Sequence, residues 1–209
     1  IILEIGPGTG NLTSCILKER PKKFFVIEKD NELAINLENK FSNQLTIIND
    51  DVLKIDETKI TNDQLTVFGN LPYNISTEIL NKWIINLKDN FWFECLVLMF
   101  QKEVADRIIA MRDTKEFGRI SIISQLKYDI EKLLDVNPNC FYPVPKIKSS
   151  VLVFSHKKNF FKLKNLSNLE QITNIFFNLR RKMIKKPLNI LFKDVVKISK
   201  NLNLDLNSR

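Results

Sequence analysis

Apolar residues along the chain repeat in two ways. Ile1–Ile5, Phe24–Ile27, Leu45–Ile48, Leu65–Phe68 and Cys95–Phe100 are short, nearly continuous runs, the pattern of strands buried on both faces. Between them the spacing opens to three and four. Leu33, Ala34, Leu37 and Phe41 form one stripe, and Ile79, Leu80, Trp83, Ile84 and Leu87 another. These stripes predict helices over 31–41 and 76–87, with further helices over 11–19, 101–111 and 121–128. Ile130–Val136 and Ser150–Phe154 read as two strands joined by a proline-rich loop, Asn137 to Lys146. Strands that alternate with helices predict an α/β fold, Rossmann-like, with helices on both faces of a largely parallel sheet. After about Lys157 the strands stop. Leu166–Leu179 predicts a helix, followed by an amphipathic basic tail. The expected boundary lies near 158, giving a large domain over 1–157 and a small helical domain over 158–209.

Charge sharpens that division. The 209 residues carry a net +8. Residues 142–209 hold 15 Lys and Arg against 3 Asp and Glu, whereas residues 1–141 hold 17 against 21. A coding bias toward Lys, Asn and Ile explains general basicity but not the loss of acids from the last third alone. Lys146, Arg180, Arg181, Lys182, Lys185 and Lys186 therefore stand as residues for a polyanion, RNA in particular. A solvated charged face is the competing reading of such a run.

The other bulk features exclude more than they assign. No apolar run spans a membrane and no secretory signal is visible, so no membrane partner is expected. Cys15, Cys95 and Cys140 lack metal-ligand spacing and fit a reduced, cytoplasmic protein. His156 is the sole histidine and reads as solvated, which excludes a histidine triad or a zinc centre; no metal is expected. The chain opens within an apolar strand without an initiator Met, as a fragment would.

Candidate chemistry collects where strands end. The first strand runs into Gly6-Pro7-Gly8-Thr9-Gly10 above Glu4, a glycine loop opening a helix, where backbone can approach a ligand closely. The dinucleotide pattern G-x-G-x-x-G fails, because Asn11 stands at its third glycine; a dehydrogenase is further disfavoured by the want of a proton-relay histidine. The spacing Glu4-x-Gly6-x-Gly8-x-Gly10 resembles the first motif of S-adenosylmethionine-dependent methyltransferases. Glu28 ends the second strand, where an acid can accept from both ribose hydroxyls of a nucleoside. Asp51 follows the third, placed to accept from an adenine amine, although Asp50-Asp51 also suits a plain turn. After the fourth strand comes Asn70-Leu71-Pro72-Tyr73, with Ser76 or Thr77 predicted to cap the next helix. Pro72 biases Leu71 to an extended backbone, so the Leu71 carbonyl and the Asn70 amide form an acceptor pair beside an aromatic face. Such a pair suits a planar base with an exocyclic amine; an ordinary strand-to-helix turn has the same composition. Phe141 in the proline-rich loop would complete a stacking clamp with Tyr73.

Taken together, these pieces resemble the ribosomal RNA adenine dimethyltransferases of the KsgA type over essentially the whole chain. The resemblance rests on Glu4 to Gly10, Asn70-Leu71-Pro72-Tyr73-Asn74-Ile75-Ser76-Thr77, and Gln101-Lys102-Glu103-Val104-Ala105-Asp106-Arg107. It rests also on Phe117-Gly118-Arg119, Phe141-x-Pro143-x-Pro145-Lys146-x-x-Ser149 and Asn178-x-Arg180-Arg181-Lys182. It implies a class I methyltransferase sheet with S-adenosylmethionine as cofactor. Gly6, Gly8 and Gly10 would cradle its methionine part, Glu28 its ribose and Asp51 its adenine. Asn70, the Leu71 carbonyl, Tyr73 and Phe141 would hold the target adenine. The implied substrate is a pair of adjacent adenosines near the 3′ end of small-subunit ribosomal RNA, in an immature small subunit, met by a monomer. Two other outcomes stay open at this point: an RNA-binding assembly factor with dispensable catalysis, and an Erm-type enzyme of large-subunit RNA. The family's residues upstream of the first strand, which close over the cofactor, are not in this sequence.

Overall fold

A computed structural model describes residues 1–85, 91–142 and 144–209. Seven strands form one sheet in the order β3-β2-β1-β4-β5-β7-β6. They are β1 (Ile2–Ile5), β2 (Phe24–Ile27), β3 (Thr46–Ile48), β4 (Leu65–Asn70), β5 (Phe93–Gln101), β6 (Tyr128–Val136) and β7 (Ser149–His156). The first five run parallel; β7 is antiparallel to both β5 and β6. The helices between them are α1 (Asn11–Lys18), α2 (Asn31–Phe41), α3 (Ser76–Ile85), α4 (Lys102–Ile109) and α5 (Arg119–Gln125). Three more follow the sheet: α6 (Leu166–Asn178), α7 (Lys185–Leu191) and α8 (Val195–Asn201).

The near-continuous apolar runs are buried as their pattern requires. Leu3, Val67, Leu96 and Leu98 are inaccessible, and α3 packs Ile79, Leu80, Trp83 and Ile84 against them, while Val26, equally inaccessible, packs with Ile16 and Phe24 in a second cluster. Leu87, the last residue of that predicted stripe, lies outside the described residues, as does Pro143. The strand order reverses direction between β1 and β4, which makes their carboxyl ends the switch point where ligands of open α/β sheets bind.

Several elements differ from the sequence expectation. Tyr128, expected to end a helix, begins β6 opposite His156, because its ring stacks on Phe93 with centroids 5.9 Å apart. The helix before it, α5, stops at Gln125. Gln101 ends β5 opposite Ser149 instead of opening α4. His156 is not solvated. β7 runs two residues beyond Phe154, which lays the imidazole on Phe91 at 3.6 Å between centroids and brings Nε2 to the Phe93 carbonyl. Burial lowers its pKa below the ordinary histidine value.

Beyond β7, residues 157–165 carry no helix or strand, and Asn165 caps α6 by accepting from the Ser167 N–H. α6 is tied to α5 by an Arg119–Glu170 ion pair at 3.0 Å. Pro187 sits in the first turn of α7, where its missing N–H costs nothing. Among the described residues no helix is long and apolar enough to cross a membrane.

Candidate active site

Strand register sets the geometry of the site. Ile5 pairs with Ile27 on one side and Gly69 on the other, Ile27 pairs with Ile48, and Asn70 pairs with Met99. Gly6, Glu28, Asn49 and Asn70 therefore end four neighbouring strands in one row. The ladder continues one step past the strands, where the Gly6 N–H donates to the Ile27 carbonyl at 2.9 Å and the Glu28 N–H to the Ile48 carbonyl at 3.1 Å.

From this row the glycine loop rises through three left-handed residues, with φ of +64° at Gly6, +57° at Gly8 and +78° at Gly10. A Cβ at Gly6 or Gly8 would meet nothing within 4 Å, so the loop offers bare backbone to open space. At Gly10 a Cβ would stand 2.6 Å from the Phe41 ring and 3.0 Å from Leu37, so this glycine lets α2 close on the loop. Glu28 is buried, with Oε2 accepting from the Gly8 N–H at 3.1 Å and Oε1 from the Asp30 N–H at 3.0 Å. It thus ties the loop to the second strand end and keeps lone pairs for a ligand. Glu4 lies beneath the loop, buried, accepting from the Thr13 hydroxyl at 2.7 Å. Burial pushes its carboxyl up to about 7, against the pull of that hydrogen bond.

Asp51 accepts from the Leu53 N–H and pairs with Lys29 at 2.9 Å. Both partners hold its carboxyl below the ordinary range, Lys29 most strongly. Asn49, which sequence reasoning passed over, donates to the Glu28 carbonyl at 2.9 Å and locks the second strand end to the third. A buried cluster holds the following loop. Lys82 of α3 donates to the carbonyls of Val52 and Ile55 and to Glu57, whose Oε1 also accepts from Trp83 Nε1 at 2.7 Å. Its only sequence signal is a lone lysine inside an apolar stripe.

Asn70 is exposed, and its carboxamide makes no hydrogen bond among the described residues. Leu71 turns its side chain into the core, and Gly69 makes room for it, since a Cβ there would meet Leu71 at 2.8 Å. Pro72 is exposed, and its carbonyl takes the N–H groups of Ile75 and Ser76. Ser76 is the first residue of α3, not its cap; its hydroxyl donates back to the Tyr73 carbonyl at 3.2 Å. Tyr73 is half-buried with its hydroxyl 2.6 Å from Ser149 Oγ. Phe141 is half-buried after a short turn capped by Asn137, and no ring contact joins it to Tyr73 among the described residues. The register thus gathers Gly6, Glu28 and Asn70; Tyr73 and Phe141 lie outside this row, and two rings that clamp a base between them need not touch each other.

The cationic run divides. Arg181, Lys182, Lys185 and Lys186 are exposed and unpaired among the described residues, and Lys146 is exposed on the β6–β7 connection. Arg180, also exposed, is engaged within the chain. Its guanidinium donates to the carbonyls of Thr114, Lys115 and Phe117, at 3.1, 3.2 and 2.8 Å, and clamps the end of α6 onto that loop. The planar fork that suits a phosphate suits a cluster of carbonyls equally.

These residues fit a nucleoside-bearing cofactor: open glycine backbone, a buried carboxylate beside it, an anionic Asp51 and a free carboxamide in one crevice. Comparisons with known proteins give the family. A family model described as ribosomal RNA adenine dimethylase matches residues 1–207. The chain is 57% identical to the ribosomal RNA small subunit methyltransferase A of Pelagibacter ubique (strain HTCC1062), a match covering 100% of this chain and 79% of that protein. Among solved structures it resembles a dimethyladenosine transferase from Plasmodium falciparum, with a TM-score of 0.77 at 28% identity, over 100% of this chain and 76% of that one. The 23S rRNA methyltransferase ErmE shares the fold, with a TM-score of 0.69 at 22% identity, over 100% and 83% of the two chains.

Proposed function

The chain belongs to the ribosomal RNA adenine dimethylase family and is a ribosomal RNA adenine dimethyltransferase of the small subunit; from that premise we propose its substrate, its cofactor site and the residues that do the work. The substrate is a pair of adjacent adenosines near the 3′ end of the RNA in immature small subunits, each dimethylated at the exocyclic amine. S-adenosylmethionine supplies a sulfonium methyl and departs as a neutral thioether. Gly6 and Gly8 lie against its methionine part, with Glu4 supporting the loop from below. Glu28 accepts from its ribose, and Asp51 accepts from its adenine amine.

Asn70 carries the reading. It stands next to Gly6 across the β1–β4 pair and its carboxamide is uncommitted. An adenine amine is a weak nucleophile because its lone pair is delocalised into the ring. Acceptance of its N–H groups by Asn70 Oδ1 and the Leu71 carbonyl favours the pyramidal form with the lone pair localised. Tyr73 and Phe141 stack on the base and hold its approach, and alignment supplies the larger part of the acceleration. The proton left on nitrogen after transfer is acidic and passes to solvent water, so no dedicated base is needed. Residues 1–157 form the methyltransferase unit. Residues 158–209 present Arg181, Lys182, Lys185 and Lys186 to RNA phosphates, joined by Lys146. The enzyme acts as a monomer, in the cytoplasm where subunits mature.

The test is methylation of unmodified small subunits by the full-length protein with labelled S-adenosylmethionine, followed by mapping of labelled adenosines. Two adjacent dimethyladenosines near the RNA 3′ end are expected. Label confined to large-subunit RNA would place the enzyme with the Erm type. Tight subunit binding without label would make it an assembly factor.

A further inference from the structure

The turn after β4 meets the far side of the sheet through one hydrogen bond. Tyr73 lies in that turn and Ser149 opens β7, and their hydroxyl oxygens are 2.6 Å apart. Ser149 is fully buried, paired with Gln101 at the end of β5 and with Val136 at the end of β6. The chain is pinned on both sides of it. The Lys148 carbonyl accepts from the Lys102 N–H at 2.8 Å, and the Ser150 hydroxyl donates to Asp135 at 2.6 Å. Ser149 is thus a fixed point of the sheet, whereas Tyr73 belongs to a turn outside it. The Ser149 hydroxyl has no other partner among the described residues, and a buried hydroxyl left unpaired gives up its bonds to water for nothing. Each group therefore holds the other in place.

We propose that Ser149 is a positioning residue for methyl transfer, anchoring the far end of the Tyr73 ring so that its face stays fixed against the target adenine. This rests on the reading of Tyr73 as the stacking residue. A tyrosine ring swings about two side-chain torsions, and its hydroxyl lies at the tip of that lever. A hydrogen bond at the tip arrests the swing, and a phenol favours a partner near its ring plane, which restrains the rotation about the ring axis as well. The anchor bears most on the second transfer. A monomethylated amine has a single N–H for the two acceptors Asn70 and Leu71, so its orientation depends more on stacking than that of the unmethylated amine.

The experiment uses full-length Ser149→Ala, Tyr73→Phe, the double variant and Tyr73→Ala, with unmodified small subunits and labelled S-adenosylmethionine. It reads kcat, KM for subunits, cofactor affinity and the ratio of mono- to dimethyladenosine. Ser149→Ala and Tyr73→Phe should each lower kcat by about tenfold and raise the monomethyl fraction, with cofactor affinity and KM nearly unchanged. The double variant should be no slower than either single one, because both remove the same bond. Multiplicative losses in the double variant would overturn the anchor. So would parent-like rates and product ratios in both single variants while Tyr73→Ala is inactive, an outcome that leaves Tyr73 as the stacking residue. A fully active Tyr73→Ala would overturn the stacking reading and the anchor with it.

Discussion

Gly8 and Gly10 share a backbone conformation but not an environment, and alanine at each separates folding from cofactor binding. Both have φ well into the left-handed region, so either substitution carries the same backbone cost, about 1–2 kcal/mol. That cost cancels when the two variants are compared. What differs is the added methyl. At Gly10 it would meet the Phe41 ring at 2.6 Å and Leu37 at 3.0 Å, both buried side chains of α2. Overpacking of that kind costs about 1–3 kcal/mol. For a chain of this length each kcal/mol lowers Tm by about 2–4 °C, so Gly10→Ala should melt about 2–12 °C below Gly8→Ala. At Gly8 the methyl enters open space where the proposal puts the cofactor, so Gly8→Ala should weaken S-adenosylhomocysteine binding by about tenfold or more. Thermal unfolding by circular dichroism and calorimetric titration, well below either Tm, measure the two effects. Equal melting temperatures would refute the packing argument. Parent-like cofactor affinity in Gly8→Ala would refute the placement of the cofactor.

Three further outcomes follow from the same geometry. Because the folded-state pKa of Glu4, about 7, lies above its ordinary value of 4.5, its stabilising effect is complete below that lower value and is lost as pH rises to the upper one. The loss is about 3 kcal/mol, and Glu4→Gln should abolish this slope and exceed the parent's stability at about pH 8 in denaturant titrations; identical slopes would argue against it. Asn70→Ala should lower kcat by about a hundredfold, in proportion to a lost transition-state hydrogen bond, with cofactor affinity nearly intact; comparable losses in both would contradict its role. Lys82→Met leaves buried Glu57 without its ammonium and should destabilise by about 3 kcal/mol, with Glu57→Gln in the same chain recovering part of the loss in Tm.

Much of this was legible in the residues because it is local. Continuous apolar runs gave the strands, and glycine, acid and amide at successive strand ends gave the crevice. What was not legible depends on contacts between distant parts of the chain. Nothing near Ser149 marks it as the partner of Tyr73, and nothing near Lys82 places Glu57 beside it. Arg180 looked like its neighbours Arg181 and Lys182, and only the docking of α6 on the 114–118 loop distinguishes it. His156 was misjudged for a related reason: its charged neighbours suggested solvent, whereas the extension of β7 put its ring among Phe91, Phe93 and Tyr128.

The location of the acceptor pair follows from where the sheet stops. Asn70 is the last residue of β4 in register with β5, opposite Met99, and Leu71 is the first beyond the ladder. Inside the ladder a carbonyl is consumed by its neighbour strand; one step past it, the Leu71 carbonyl accepts nothing among the described residues. Alternation along the strand then requires the side chains of Asn70 and Leu71 to part, one to the crevice and one to the core. Gly69 makes room for the second of these, since a Cβ there would stand 2.8 Å from the Leu71 side chain and 3.0 Å from that of Leu98. A shift of one residue in the β1–β4 register would bury Asn70 and turn Leu71 outward. The Ile5–Gly69 pairing is therefore as much a part of the chemistry as the amide it delivers.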